Sequence, residues 1–117
     1  MPGTDSGWLE YTNTSVFSGT IYYRKVGNIV YIESGWINLK TALSAGSYVN
    51  LSSGNAFPSG YRPKEADVLM GFINSGSVSN RYLPMNINVN GDMYIYSAAD
   101  AVATTYNLRF SGSFLAA

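Results

Sequence analysis

The stretch "TIYYRKVGNIVYIESGWINL", Thr20–Leu39, alternates apolar and polar residues on both sides of Gly27-Asn28. Alternation of period two is that of a strand, and Gly-Asn supplies the positive φ angles that a tight two-residue hairpin turn needs. The implied register sets Val26 against Ile29, Arg24 against Tyr31 and Tyr22 against Glu33. Ile21, Tyr23, Val30 and Ile32 then share a face that reads as core. Tyr22, Arg24, Tyr31 and Glu33 share the other, which reads as solvent-facing or as an interface.

A second hairpin, "YLPMNINVNGDMYIYS", admits two registers. A two-residue Asn90-Gly91 turn would strand Met93 and Ile95 beside Asn86 and Asn88. A three-residue Val89-Asn90-Gly91 loop, with Gly91 at the left-handed bulge position, pairs Ile87 with Met93 and Met85 with Ile95. The second register separates apolar from polar residues and is preferred. It leaves Asn86, Asn88, Asp92, Tyr94 and Tyr96 facing outward.

Further strands are expected at Leu9 to Thr12, Ser15 to Phe17, Tyr48 to Leu51 and Val68 to Ile73. The closing "YNLRFSGSFLAA" turns Leu108, Phe110 and Phe114 inward, with a bulge or bend at Gly112. No window of helical period escapes Gly and Pro, and "SAADAVATTYN" supports one turn at most. The reading is all-β. With about eight short strands, an antiparallel β-sandwich of jelly-roll type is the economical way to bury them.

The 117 residues suit a single domain, expected over residues 8–117, and "MPGTDSG", residues 1–7, reads as a disordered start or stem remnant. Apolar residues make up 46% of the chain and charged residues only 12%, about half the usual share, so the surface is polar without being ionic. Seven basic residues balance seven acidic ones, which argues against nucleic acid and anionic membrane as partners. No apolar run is long enough to insert in a bilayer, and the start lacks the pattern of a signal peptide.

Cysteine and histidine are both absent, which removes disulfides, the commonest zinc ligands, the serine–histidine triad and the cysteine nucleophile. Seven carboxylates remain for a glycosidase pair, none in a recognisable catalytic context. Glu65 and Asp67 are too sparse for a calcium loop and read as a solvated turn, so neither metal nor cofactor is expected. Asn13 and Asn50 open glycosylation triplets of a kind frequent by chance in so Asn- and Ser-rich a chain.

What stands out is planar aromatics, ten tyrosines among them, beside amides, carboxylates and guanidiniums. A sugar ring has an apolar face that stacks on Tyr or Trp and hydroxyls that bond Asp, Asn and Arg. Packing on the sheet is the ordinary alternative for any one ring. Saccharide contacts are expected at Arg81 and Tyr82, in a loop opened by "NSGSVSN", at Asn88, Asp92 and Tyr94 on the second hairpin, and at Asp100. Trp36 ranks lower because its strand is expected to bury it.

"YYRKVGNIVYIESGWI" followed by "FPSGYRP" resembles the C-terminal head domains of bacteriophage tail-fibre and baseplate receptor-binding proteins. The matching positions are Tyr23, Arg24, Lys25, Val26, Gly27, Val30, Ile32 and Gly35, this last one residue late. Pro58, Gly60, Tyr61, Arg62 and Pro63 follow, with Phe57 in place of the usual leucine. "INVNGDMYIY" and "LRFSGSFLA" resemble that family's later hairpin and terminal strand, so the likeness runs from about Leu9 to the end.

The resemblance implies a homotrimeric head at a tail tip, assembled in the host cytoplasm, joined to the rest of a fibre or baseplate and binding bacterial surface saccharide without catalysis. A trimerising terminator with no receptor site and a glycan depolymerase are the alternatives. It also implies that "FPSGYRP" marks scaffold, fixing how the chain crosses between sheets. Pro58 and Pro63 forbid central pairing there, and Ser59-Gly60 offers the turn.

Overall fold

The structure, a computed structural model, describes residues 5–74, 81–97 and 101–117. The described residues hold eleven strands and no helix: β1 Leu9–Tyr11, β2 Phe17–Ser18, β3 Ile21–Val26, β4 Ile29–Ser34, β5 Asn38–Leu39, β6 Tyr48–Asn50, β7 Asp67–Asn74, β8 Arg81–Tyr82, β9 Met85–Ile87, β10 Met93–Tyr96 and β11 Asn107–Leu115. Every described strand pairing is antiparallel. Nine strands form one long curled sheet in the order β1-β3-β4-β11-β7-β9-β10-β6, with β8 beside β7, and β2 pairs β5 separately.

Two strands change partner along their length. Residues 107–111 of β11 pair β7, and residues 111–115 pair β4 on its other side. In β7, residues 67–69 pair β9 and residues 70–74 pair β11. A sheet whose strands hand over in this way curls, because each is offset along its neighbour. The last strand in the chain is thereby central in the sheet.

Both hairpins adopt the register that segregates apolar from polar residues. Val26 faces Ile29, Arg24 faces Tyr31 and Tyr22 faces Glu33. Gly27 turns with φ 60°. In the second hairpin Ile87 faces Met93 and Met85 faces Ile95. Its loop closes through the Asn88 N–H to Asp92 O, 2.9 Å, and the Gly91 N–H to Asn88 O, 3.0 Å, with Gly91 at φ 90°.

Ile21, Val30 and Ile32 from one end of the sheet join Met85, Ile87, Met93 and Ile95 from the other in a single buried cluster, with Leu108, Phe110 and Phe114 between them. Burying a side chain of this size stabilises by about 1.5–3 kcal/mol.

Several strand limits move. The strand expected over Ser15 to Phe17 lies at Phe17–Ser18, and Ser15 is in a turn. Arg81 and Tyr82, expected in a loop, form β8 against Ile73 and Phe72. Residues 5 and 6, within the start read as disordered or as a stem remnant, lie against β3. Asp5 bridges Val26, the Ser6 N–H donates to Lys25 O at 2.9 Å, and the Asp5 carboxylate accepts from the Arg24 guanidinium.

Candidate functional site

"FPSGYRP" joins the two hairpins. Phe57 is fully buried, its ring centroid 4.8 Å from that of Tyr23 and 5.5 Å from that of Tyr11. Its N–H donates to Gly91 O at 2.9 Å, and its carbonyl accepts from Arg62 Nε at 2.7 Å. A Cβ on Gly91 would lie 2.7 Å from both Arg62 Nε and Phe57 O, so the second hairpin's loop seats here only as glycine.

The motif's turn is closed by the Tyr61 N–H to Pro58 O, 3.1 Å, with Gly60 at φ 91°. Lys25 Nζ donates to Gly60 O at 2.8 Å, and Tyr61 packs edge-on against Tyr23, centroids 4.9 Å apart. Pro63 bridges Ala116 at the end of the chain. Of the motif's side chains, Tyr61 thus packs on β3 and Arg62 is bonded within the motif.

On the outward face of β6, β10 and β9, two of the expected residues, Asn88 and Tyr94, come together, and a third, Asp92, is bonded to the Tyr94 hydroxyl. Tyr48, Tyr94, Tyr96, Asn86 and Asn88 line an open hollow of about 490 Å³, closed on one side by Asp67 and Val68 at the start of β7. Strand register explains the grouping, since Tyr96 faces Tyr48, and Tyr94 lies between Asn50 and Asn86. Tyr48 meets Tyr94 edge-on, centroids 5.6 Å apart at 69°.

Asp92 organises the rim. Its Oδ2 accepts from Asn90 Nδ2 at 3.1 Å and from the Tyr94 hydroxyl at 3.2 Å, and its N–H donates to Asn90 Oδ1 at 3.0 Å. Packing around the Tyr94 phenol, and then the Asp92 charge, push its pKa above the ordinary value. The hollow offers aromatic faces, amide donors and acceptors and a fixed carboxylate, which is the chemistry a hydroxyl-rich ring requires.

The other expected residues lie elsewhere. Tyr82 is exposed on β8, edge-on to Phe72 with centroids 6.0 Å apart. It borders β7 four residues along from Val68, about 13 Å at strand rise. Arg81 shares that strand, and Asp100 lies outside the described residues.

Trp36 is corrected. Instead of being buried it is 44% exposed, with the Arg109 guanidinium 5.6 Å above its ring. Unbroken alternation from Val30, Ile32 and Ser34 would turn Trp36 inward, but β4 ends at Ser34 and Ile37 takes the inward place instead.

Tyr48 was missed as a site residue, because nothing in its own segment shows that β6 pairs β10. A second aromatic surface, around Trp8, Tyr22 and Tyr31, was legible only as the outward face of the first hairpin. Of the two glycosylation triplets, Asn13 is buried, its Nδ2 donating to Leu51 O at 2.9 Å and Ser53 O at 3.0 Å. Asn50 Oδ1 accepts from the Ser52 N–H at 2.9 Å.

No group of three or more acidic or other metal-binding side chains occurs among the described residues. No family model matches the chain, and no curated protein is significantly similar to it.

Proposed function

We propose that this chain is a non-enzymatic receptor-binding head that grips saccharide on a bacterial surface through the tyrosine-lined hollow. The observation that carries the reading is the convergence of Tyr48, Tyr94 and Tyr96 with Asn86 and Asn88 on one exposed, concave patch. Asp92 and Asp67, the carboxylates nearest the hollow, already accept hydrogen bonds from Tyr94 and Asn90 and from the Val68 N–H respectively. That engagement favours binding over acid–base cleavage of a glycosidic bond.

The resemblance to phage tail-tip heads supplies the setting: a homotrimer, joined to a fibre or baseplate, carried on the virion and assembled in the host cytoplasm. On this reading the curled sheet is the two-layered, jelly-roll-type sandwich of such heads, its two ends closing over one core. The outward residues Met70 and Phe72 of β7, with Tyr82 beside them, are exposed and apolar. A stripe of this kind suits burial against neighbouring protomers better than water.

The test is adsorption and calorimetry. The protein should bind surface polysaccharide from a susceptible strain, and Tyr94→Ala should abolish that binding. A chain that trimerises and binds none is a fibre terminator, and one that shortens the polysaccharide is a depolymerase. Met70→Asp should reduce the solution mass from three times the 12.7 kDa chain to one.

A further inference from the structure

The only two tryptophans in the sequence, Trp8 and Trp36, both lie on the outward face of the other wing of the sheet. Trp8 is 49% exposed, with the Arg24 guanidinium 5.8 Å from its ring centroid, and Arg109 stands in the same relation to Trp36. Exposed indoles are unusual in a small domain unless something covers or contacts them.

Two hollows meet at Trp8. One, about 400 Å³, lies between Trp8, Tyr22, Glu33 and Arg109, with Gly35 in its wall. The other, about 410 Å³, lies between Trp8, Arg24, Tyr31 and Glu33. Both are in the lower half of the size range of small-molecule sites. Trp8 and Glu33 belong to both, so a ligand that fills the pair must cross the indole with a ring on each side.

Charge narrows the ligand class. The Arg24 guanidinium donates to both Asp5 carboxylate oxygens, and Arg109 lies 3.7 Å from Glu33. With Glu10, opposite Tyr22 on the same outward face, these ionised groups sum to minus one, so the surface has no field with which to gather anions. Glu33 and Arg109 remain more than half exposed, leaving an acceptor and several N–H donors at the rim for hydroxyl groups.

We propose that this face is a second glycan site, taking an uncharged oligosaccharide of at least two rings laid across Trp8. It has the ligand class of the tyrosine hollow but shares none of its residues, so either site can fail alone. Amide chemistry dominates the first site, and stacking on indole with guanidinium and carboxylate at the edges dominates this one.

Indole fluorescence reads this site directly, since Trp8 lines both hollows. The full chain carrying Trp36→Phe, with Trp8 its sole indole, is titrated with maltose, cellobiose, lactose and N,N′-diacetylchitobiose. At least one should shift Trp8 emission saturably, with the same midpoint at low and high salt and in a Tyr94→Ala background. A Cβ on Gly35 would meet nothing within 4 Å, so Gly35→Tyr fills the hollow while sparing the sheet and should remove the response. Glu33→Ala, at an exposed position, should weaken binding at least tenfold and serves if Gly35→Tyr does not fold.

Silence with all four sugars overturns the proposal. So does a response that survives both Gly35→Tyr and Glu33→Ala, or one that Tyr94→Ala abolishes. Emission that changes with protein concentration and not with sugar would show that a second copy of the chain covers the face, and also overturns it.

Discussion

The tyrosine hollow on β6-β10-β9 and the tryptophan surface on β1-β3-β4-β11 are outward faces of the same sheet, built by the same alternation that fills the core. They differ in what fixes the aromatics. Tyr94 is held by a short loop through Asp92 and Asn90, all within one hairpin. Trp8 lies beside Arg24, which is itself anchored by Asp5, a residue outside the hairpin. A local network keeps its geometry whenever the hairpin forms, whereas a surface that draws on a segment outside its hairpin depends on a tether.

The largest expected effect removes the difference altogether. Phe57 links the hairpins, so Phe57→Ala should cost about 3–5 kcal/mol in denaturant unfolding and cripple both surfaces together. Unchanged stability would show that the two wings do not share a keystone. Next, Tyr94→Ala should abolish polysaccharide binding and leave Trp8 emission as it was. A change in that emission would mean that the surfaces communicate.

A smaller effect is expected at the tether. Arg24→Ala removes the guanidinium from Trp8 and from Asp5, so the indole should gain mobility, seen as lower fluorescence anisotropy, with Tyr94 resonances unmoved in NMR spectra.

The smallest is a titration. The bond to Arg24, then that to the Gly7 N–H, hold the Asp5 pKa at about 2 against an ordinary 3.8. A depressed carboxyl contributes stability that is complete above pH 3.8 and disappears as pH falls through about 2. The N-terminal tether should therefore persist through mild acid and release only near pH 2, followed by the Asp5 carboxyl carbon resonance. A midpoint near 3.8 would mean that the tether does not form.

Period two made the inward and outward sets of both hairpins legible, and with them Asn88, Asp92 and Tyr94. It says which face a residue takes, but not which strand lies next door. Tyr48 reaches Tyr94 only because β6 pairs β10 from far away in sequence, and Tyr82 leaves the site because β8 joins β7 instead. Trp36 was misplaced for a third reason: β4 ends at Ser34, and the alternation does not carry through to Trp36. The prolines of "FPSGYRP" made an irregular crossing legible and the resemblance supplied the scaffold reading, while the motif's contact with Gly91 depends on a close approach that composition does not encode.

Binding at the tyrosine hollow is tested most directly by calorimetry of the intact protein against purified bacterial surface polysaccharide, with the polymer's length measured before and after. Wild-type protein should bind, Tyr94→Ala of equal stability should not, and the polymer should keep its length. Equal binding by the two proteins, or a shortened polymer, would contradict a non-enzymatic glycan site built on Tyr48, Tyr94 and Tyr96.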